Sequence, residues 1–499
     1  MSVIKQLLGQ TAMYGISSML GRAINFLLVP FYTALLLPDA YGVVTDLYAY
    51  AAFFNILFLY GMETTYFRYS SKPEHTEEYI FNHIFTQIII STVFLVAVLV
   101  VFINPIAHFT EYTSSKDYLY LFIVILATDA LLAIPFARWR KENKAGWFAG
   151  VKLGAILFNV FLNILLVAYI PEWLEGAEAS TLKEWVLSWY RKEDQVYYIF
   201  LSNLISNALQ APFLISALHH YRWTLDRLLI PTLWKYAWPL MIMGFAGMVN
   251  EMLDRLLLKK LLPDNFYFGQ TSIYALGVYG ACYKLSMFMT LTVQSFRFAA
   301  EPFFFNRAAE KDSPELFAKV LSVFTIICLA IFLGVSINID LFKEFLRNEA
   351  YWSGLSVVPI LLMANLLLGI YYQQSIWYKL TDKTIWGSRI SIIGAVITIV
   401  GNLLCIPFFG YIGAAWVTFA CYASMVIISY YLGQKYFPVP YRVVQLCFWI
   451  FVSGVIVAVY WWMRQNEIPG AVYYANLIAF LWLTFMYLQE RKSNSAKAK

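Results

Sequence analysis

Fourteen predominantly apolar stretches, each long enough for a membrane-crossing helix, succeed one another along these 499 residues. They run approximately at 10–36, 43–66, 80–104, 118–137, 146–170, 196–218, 233–257, 273–298, 317–339, 354–376, 385–407, 411–432, 443–464 and 471–489. A helix needs roughly 20 such residues to cross a hydrocarbon core. The longest gap, Pro171 to Gln195, is too short for a folded domain. Charged residues make up 13% of the chain and apolar ones 61%, against roughly 25% charged in an average soluble domain. So little charge cannot cover the surface of about three soluble domains. A soluble multidomain enzyme is excluded. The expected fold class is an all-α polytopic membrane protein of about 14 transmembrane helices.

The first stretch lacks a small-residue cleavage site and is longer than a signal h-region, so it is expected to remain as the first helix. All five cysteines fall inside predicted spans, and no histidine spacing suits a metal. Neither a disulfide framework nor a metal site is expected. Charge placement sets orientation. With the amino terminus inside, the cytoplasmic segments carry 21 Lys/Arg and the opposite segments 9, as the positive-inside rule requires. Both termini are therefore expected in the cytoplasm. The basic tail Arg491–Lys499 reads as a topology signal, not a nucleic-acid arm.

The chain carries an internal repeat. Leu131–Ile134 with Trp139, Lys141, Lys144 and Trp147 is matched by Leu367–Ile370 with Trp377, Lys379, Lys383 and Trp386. Lys152, Gly154-Ala155, Asn163 and Ile170-Pro171 are matched by Arg389, Gly394-Ala395, Asn402 and Ile406-Pro407. An offset of six helices gives two parallel lobes, a transporter architecture that places a central cavity between them. The expected division is an N-lobe at 1–220, a C-lobe at 221–433, and a two-helix hairpin with a basic tail at 434–499. In the long gap, Thr181-x-x-Glu184 suits a capping box, and Leu182, Trp185 and Trp189 share one face of an interfacial helix.

Ionisable groups within spans are costly and mark pathways. Arg22 and Lys284 fall near the middle of helices 1 and 8. Each either neutralises a buried carboxylate or helps bind an anion in a central cavity; Arg suits phosphate bidentately, Lys as a point charge. Asp46, Glu63 and Asp254 lie near helix ends, where capping or pairing explains them, and Asp254-Arg255 suggests one local pair. Asp129 and Glu251 lie deeper, where a carboxylate can carry H⁺ or, with Asn250, ligate Na⁺. Arg297 and Glu301 are four residues apart, suiting a gate or a plain salt bridge. Tyrosines suit stacking on sugars, but sequence does not single out which ones. There is no phosphate-binding glycine loop, no Gly-x-Ser-x-Gly and no paired-carboxylate loop in an aqueous segment. An ATP-driven pump and most enzymes are disfavoured, and no cofactor is expected beyond H⁺ or Na⁺ coupling.

The run Tyr14–Ser18, Leu20-Gly21-Arg22, Leu37-Pro38-x-x-Tyr41-Gly42 and Tyr60-Gly61-Met62-Glu63 resembles the start of bacterial polysaccharide-export flippases. These belong to the multidrug/oligosaccharidyl-lipid/polysaccharide (MOP) exporter superfamily. Asp254-Arg255, Tyr279-Gly280-x-x-Tyr283-Lys284-Leu285 and Asn402–Ala415 resemble its later helices. The resemblance implies twelve core helices in two bundles, two more in many members, and flipping of an undecaprenyl-linked saccharide to the periplasmic leaflet by alternating access. In members that flip the peptidoglycan precursor, cations on helices 1, 2 and 8 line the cavity. Arg22 and Lys284 are similar in placement, but Asn55 stands where helix 2 would carry a basic residue. Another lipid-linked glycan is therefore favoured, for lipopolysaccharide O-antigen or a similar surface polymer.

The expected partners are the lipid-linked oligosaccharide, membrane lipids and polysaccharide polymerase or assembly proteins, with the chain itself a monomer. The rivals are a cation-coupled drug or metabolite antiporter on the same fold and a polytopic polymerase or glycosyltransferase. The first expects an acidic substrate site, the second a sizeable catalytic loop.

Overall fold

The computed structural model describes residues 21, 23, 24, 26–142, 144–176, 180–192, 194–263, 265–307, 313–381 and 383–497. Among the described residues the regular structure is entirely helical. Helix contacts divide the chain into two compact units, Met1–Met248 and Val249–Lys499.

In the first unit, α1 (Phe26–Leu35) leads to α2 (Pro38–Leu59). Pro38 opens α2 at the one helical position where a missing N–H costs nothing. Tyr60 and Gly61, both with positive φ, end it and start α3 (Met62–Tyr69). A side chain at Gly61 would press on the Ala237 carbonyl, so this close approach requires glycine. Next come α4 (Glu77–Val101), α5 (Ile103–Thr110), α6 (Lys116–Lys141) and α7 (Ala145–Asn163). A π-helical turn, Ile164–Tyr169, joins α7 to α8 (Ile170–Gly176). Then follow α9 (Thr181–Trp189), α10 (Gln195–Ala208), α11 (Ile215–Leu218) and α12 (Leu229–Leu261), which carries the chain past the boundary. α6 is the hub, packing on α2, α4, α7 and α10. Lipid offers no hydrophobic drive for helix association, so close packing and polar contacts hold such a bundle. Phe58, Tyr66, Phe81, Ile84, Leu126 and Leu233 fill its core.

α9 is the expected amphipathic helix, with one correction. Its cap is Ser180, whose Oγ accepts from the Lys183 N–H at 3.3 Å, not Thr181. Leu182, Trp185 and Trp189 stay exposed, as an interfacial helix requires.

The second unit contains α13 (Ser272–Leu285), α14 (Met287–Arg307), α15 (Ser313–Ile337), α16 (Ile339–Phe342), α17 (Val357–Gln374) and α18 (Ile376–Leu380). It continues with α19 (Ile385–Tyr436), α20 (Val443–Gln465) and α21 (Ala471–Lys497). α17 is its hub, and α20 and α21 pack on each other and on α15.

Among the described residues, ten helices are long and apolar enough to cross a membrane. The fourteen apolar stretches are mostly helical in their described parts, with breaks such as those at Tyr60-Gly61 and Ser286, and the difference has physical causes. α19, at 52 residues, would extend about 78 Å if straight, more than two bilayer cores. It breaks at Gly410, whose φ of 56° and ψ of −139° belong to no helix. One element therefore supplies two predicted spans. The charges of α12 interrupt its apolar run, α13 and α14 divide the eighth stretch at Ser286, and only Phe26–Leu35 of the first counts as an apolar helix. The chain is a multi-pass, all-α membrane protein.

Candidate functional site

In the second unit, one stretch of α12 carries Asn250, Glu251, Asp254 and Arg255, and α13 carries Tyr279, Tyr283 and Lys284. The Asp254 carboxylate is fully engaged. Tyr279 Oη donates to its Oδ2 at 2.6 Å, and the Arg255 backbone N–H donates to its Oδ1 at 2.9 Å. The Arg255 side chain points elsewhere. Its Nη1 donates to the Glu251 carbonyl at 3.1 Å and contacts Met252 Sδ, and its guanidinium lies 4.3 Å from the Tyr283 ring centroid. The expected Asp254–Arg255 side-chain pair does not form. Adjacent residues on a helix point about 100° apart, and Tyr279 takes the carboxylate.

Arg255 is only 7% exposed. Lys284 is half-buried, and the charge acting on it is a second cation, Arg255. Among the described residues, neither head group makes an ion pair or a hydrogen bond to a carboxylate. Arg255 and Lys284 act on one another, and the Asp254 and Glu251 carboxylates act on Arg255. Lys284, with a second cation as its charged neighbour, is unfavourable when empty and favours an anion.

Asn250 and Glu251 do not form a joint site. The Asn250 amide turns to α19, donating to the Ser391 carbonyl at 3.1 Å and accepting from Thr398 Oγ1 at 3.4 Å. Glu251 is exposed. Arg297 stacks over the Tyr372 ring at 4.8 Å. Arg22 and the side chain of Glu301 lie outside what the structure describes, and with them one half of each expected pair.

In the first unit, Asp129 of α6 accepts from Asn207 Nδ2 at 2.8 Å, and Lys152 of α7 acts on it electrostatically. Sequence analysis missed Lys152, which it used only as a marker of the repeat. The available signal was a polar stripe in an apolar stretch, with Lys152, Asn159 and Asn163 at i, i+7 and i+11 on one face of α7. Near the helix ends, Asp46 accepts from Tyr112 Oη at 2.8 Å and Glu63 pairs with Arg140, which is the structural role expected of both.

An apolar groove of about 980 Å³ lies within the second unit. α17, the second arm of α19 and α20 enclose it, with Met363, Trp416, Tyr430 and Phe451 among its walls.

Residues 33–174 match a family described as polysaccharide biosynthesis protein. No curated protein matches the chain. Among solved structures, the chain is similar to the lipid II flippase MurJ in an inward closed conformation. The identity is 13%, over 98% of this chain and 99% of that one, with a TM-score of 0.70. It is also similar to the MATE multidrug transporter DinF-BH, at 15% identity over 87% and 96% of the two chains and a TM-score of 0.61. A multidrug resistance MATE family transporter of the MOP superfamily in an outward-facing conformation follows at 12% identity, 85% and 94% coverage and a TM-score of 0.53. The chain has the fold of MOP-superfamily transporters. The family match falls within the first unit of that fold.

Proposed function

We propose that this protein flips an undecaprenyl-(pyro)phosphate-linked oligosaccharide from the cytoplasmic to the periplasmic leaflet of a bacterial inner membrane, with both termini in the cytoplasm. The product serves lipopolysaccharide O-antigen or another surface polysaccharide. The observation that carries this reading is Lys284, a half-buried cation whose neighbouring charge is a second cation, Arg255. A phosphate or diphosphate head supplies the missing charge at Lys284, and Arg22, outside the described residues, is the first unit's candidate for phosphate binding. The groove along α17, α19 and α20 offers the polyprenyl tail an apolar path.

The lobes, 1–220 and 221–433 with the appended 434–499, rock to expose the head to one side at a time. Arg297 and Glu301 act as a gate, and Glu251 is the candidate for H⁺ or Na⁺ coupling. An anionic head moving outward also runs down an inside-negative potential, worth about 2.3 kcal/mol per charge per 100 mV. A drug antiporter on the same fold would require an acidic site for a cationic substrate, and the half-buried cation Lys284 disfavours one.

Mass spectrometry of lipid-linked saccharides after depletion of the protein tests the reading. The expected result is accumulation of one undecaprenyl-linked glycan, shielded from a periplasmic probe, with loss of its surface polymer. An unchanged lipid pool with new sensitivity to cationic drugs would move the assignment to antiport.

A further inference from the structure

In the first unit, carboxamides from two helices gather on one polar surface. On α10, Asn207 Nδ2 donates to Asp129 Oδ1 at 2.8 Å and to Asn203 Oδ1 at 3.1 Å, and Asn203 Nδ2 donates to Tyr48 Oη at 2.8 Å. Gln210 Nε2 continues the ladder by donating to Asn207 Oδ1 at 3.1 Å. On α7, Asn163 Nδ2 donates to Asn159 Oδ1 at 3.0 Å and Asn163 Oδ1 accepts from Tyr32 Oη at 2.9 Å. Lys152, on the same face of α7 as the two asparagines, rests its ammonium 4.2 Å from the Phe136 ring.

The hydrogen-bonding inventory leaves specific groups open. Asp129 Oδ2 has no partner among the described residues. The Lys152 ammonium makes no hydrogen bond and no ion pair there. Tyr48 accepts from Asn203 and keeps its own O–H to donate; it is exposed, and its ring is braced by Phe200 at 5.4 Å. The surface thus presents one strong acceptor and several donors within an apolar bundle, where unmatched polar groups are costly. The chemistry discriminates among occupants. A phosphate would face the Asp129 carboxylate, and a cation would face Lys152. A neutral group carrying both donors and acceptors satisfies both sides, and sugar hydroxyls are such groups.

We propose that the surface formed by Tyr48, Asp129, Lys152, Asn203 and Asn207 binds the neutral saccharide portion of the transported lipid, apart from the phosphate site of the second unit. Hydroxyls accept from Lys152 and Tyr48 and donate to Asp129, while the carboxamide ladder fixes the orientation of Asp129. The proposal rests on the flippase reading and names the subsite that senses the sugar.

The test compares two probes on the full-length protein in lipid nanodiscs: undecaprenyl diphosphate, and undecaprenyl diphosphate bearing the oligosaccharide extracted from the native host. D129N and K152M keep the shape of each side chain, and thermal melting checks that each variant is folded. Both variants are expected to weaken binding of the sugar-bearing probe about tenfold or more, as a site built for hydroxyls does when a partner is lost. Binding of the sugar-free probe should hold within about twofold. Equal losses on both probes, or no loss on either, would overturn the subsite. So would a change in Na⁺ or pH dependence of binding in D129N without a change in sugar discrimination, which would make Asp129 a cation site. If the wild-type protein, folded, binds neither probe, the flippase reading itself fails.

Discussion

Tyr279 holds Asp254 away from Arg255: its hydroxyl donates to Asp254 Oδ2 at 2.6 Å, while the neighbouring guanidinium lies over Tyr283 instead. The Asp254 carboxylate acts on Arg255 electrostatically without bonding its guanidinium. Tyr279→Phe releases Oδ2. The freed carboxylate is then expected to swing to Arg255 and weaken undecaprenyl diphosphate binding roughly tenfold, the scale on which a close charge pair alters an interface. Asp254→Asn in the same chain removes the competing charge and should restore most of the loss. Binding measured across the four proteins of this cycle isolates the coupling. If the double variant binds no better than Tyr279→Phe, Tyr279 acts through packing and not through the carboxylate.

Lys284→Gln and Arg255→Gln each remove one of the two neighbouring cations. Each is expected to reduce export of the surface polymer at least tenfold at normal expression, and Lys284→Arg to retain most of it, since charge at that position is what matters. Neither substitution strips a carboxylate of its ion-pair partner, so melting temperatures should stay within a few degrees of wild type. A large drop in melting temperature with export unaffected would make the two cations structural.

The helices were legible because lipid leaves the backbone little choice: an apolar stretch of spanning length must satisfy its own hydrogen bonds. The break at Gly410 was visible as the gap between the eleventh and twelfth stretches. The site was legible by residue type but not by pairing. Asp254 and Arg255 are neighbours in sequence, and so are Asn250 and Glu251; within each pair the side chains leave the helix about 100° apart. The asparagine accordingly joins α19 while the glutamate stays exposed. Asp129 and Lys152 approach across two helices, a relationship no local spacing encodes. The carboxamide stripe on α10 was readable in principle, as Asn203, Asn207 and Gln210 recur at helical spacing.

Gly410→Ala should be strongly destabilising. The φ of 56° with ψ of −139° lies in a region that only glycine occupies readily. A methyl group there would also collide with Tyr267, whose hydroxyl accepts from the Tyr411 N–H at 3.2 Å and whose ring stacks on Tyr411 at 4.5 Å. Strain of this kind costs about 1–3 kcal/mol before the clash is added. A lowered melting temperature in detergent is the expected outcome. Removing the ring in Tyr267→Ala/Gly410→Ala should recover only the steric part. Unchanged melting of the single variant would mean that α19 bends elsewhere with ease.

Asp340 ties the start of α16 to the end of α20. Arg464 Nε donates to its Oδ2 at 3.0 Å and Arg464 Nη2 to its Oδ1 at 2.8 Å, with Lys343 Nζ 2.9 Å from Oδ1. These donors, Arg464 foremost, lower the Asp340 carboxyl to about 2, below the roughly 3.9 expected of an unfolded chain. A depressed folded-state value means that the stabilisation is complete above the unfolded value and is lost as pH falls from about 4 through 2. The side chain is 42% exposed, so solvent screening should limit the effect to about 1 kcal/mol or less. Asp340→Asn should therefore melt slightly below wild type at pH 7, and the gap should close as the pH approaches 2. A gap that persists at the lowest pH would assign the contact to neutral hydrogen bonding instead of charge.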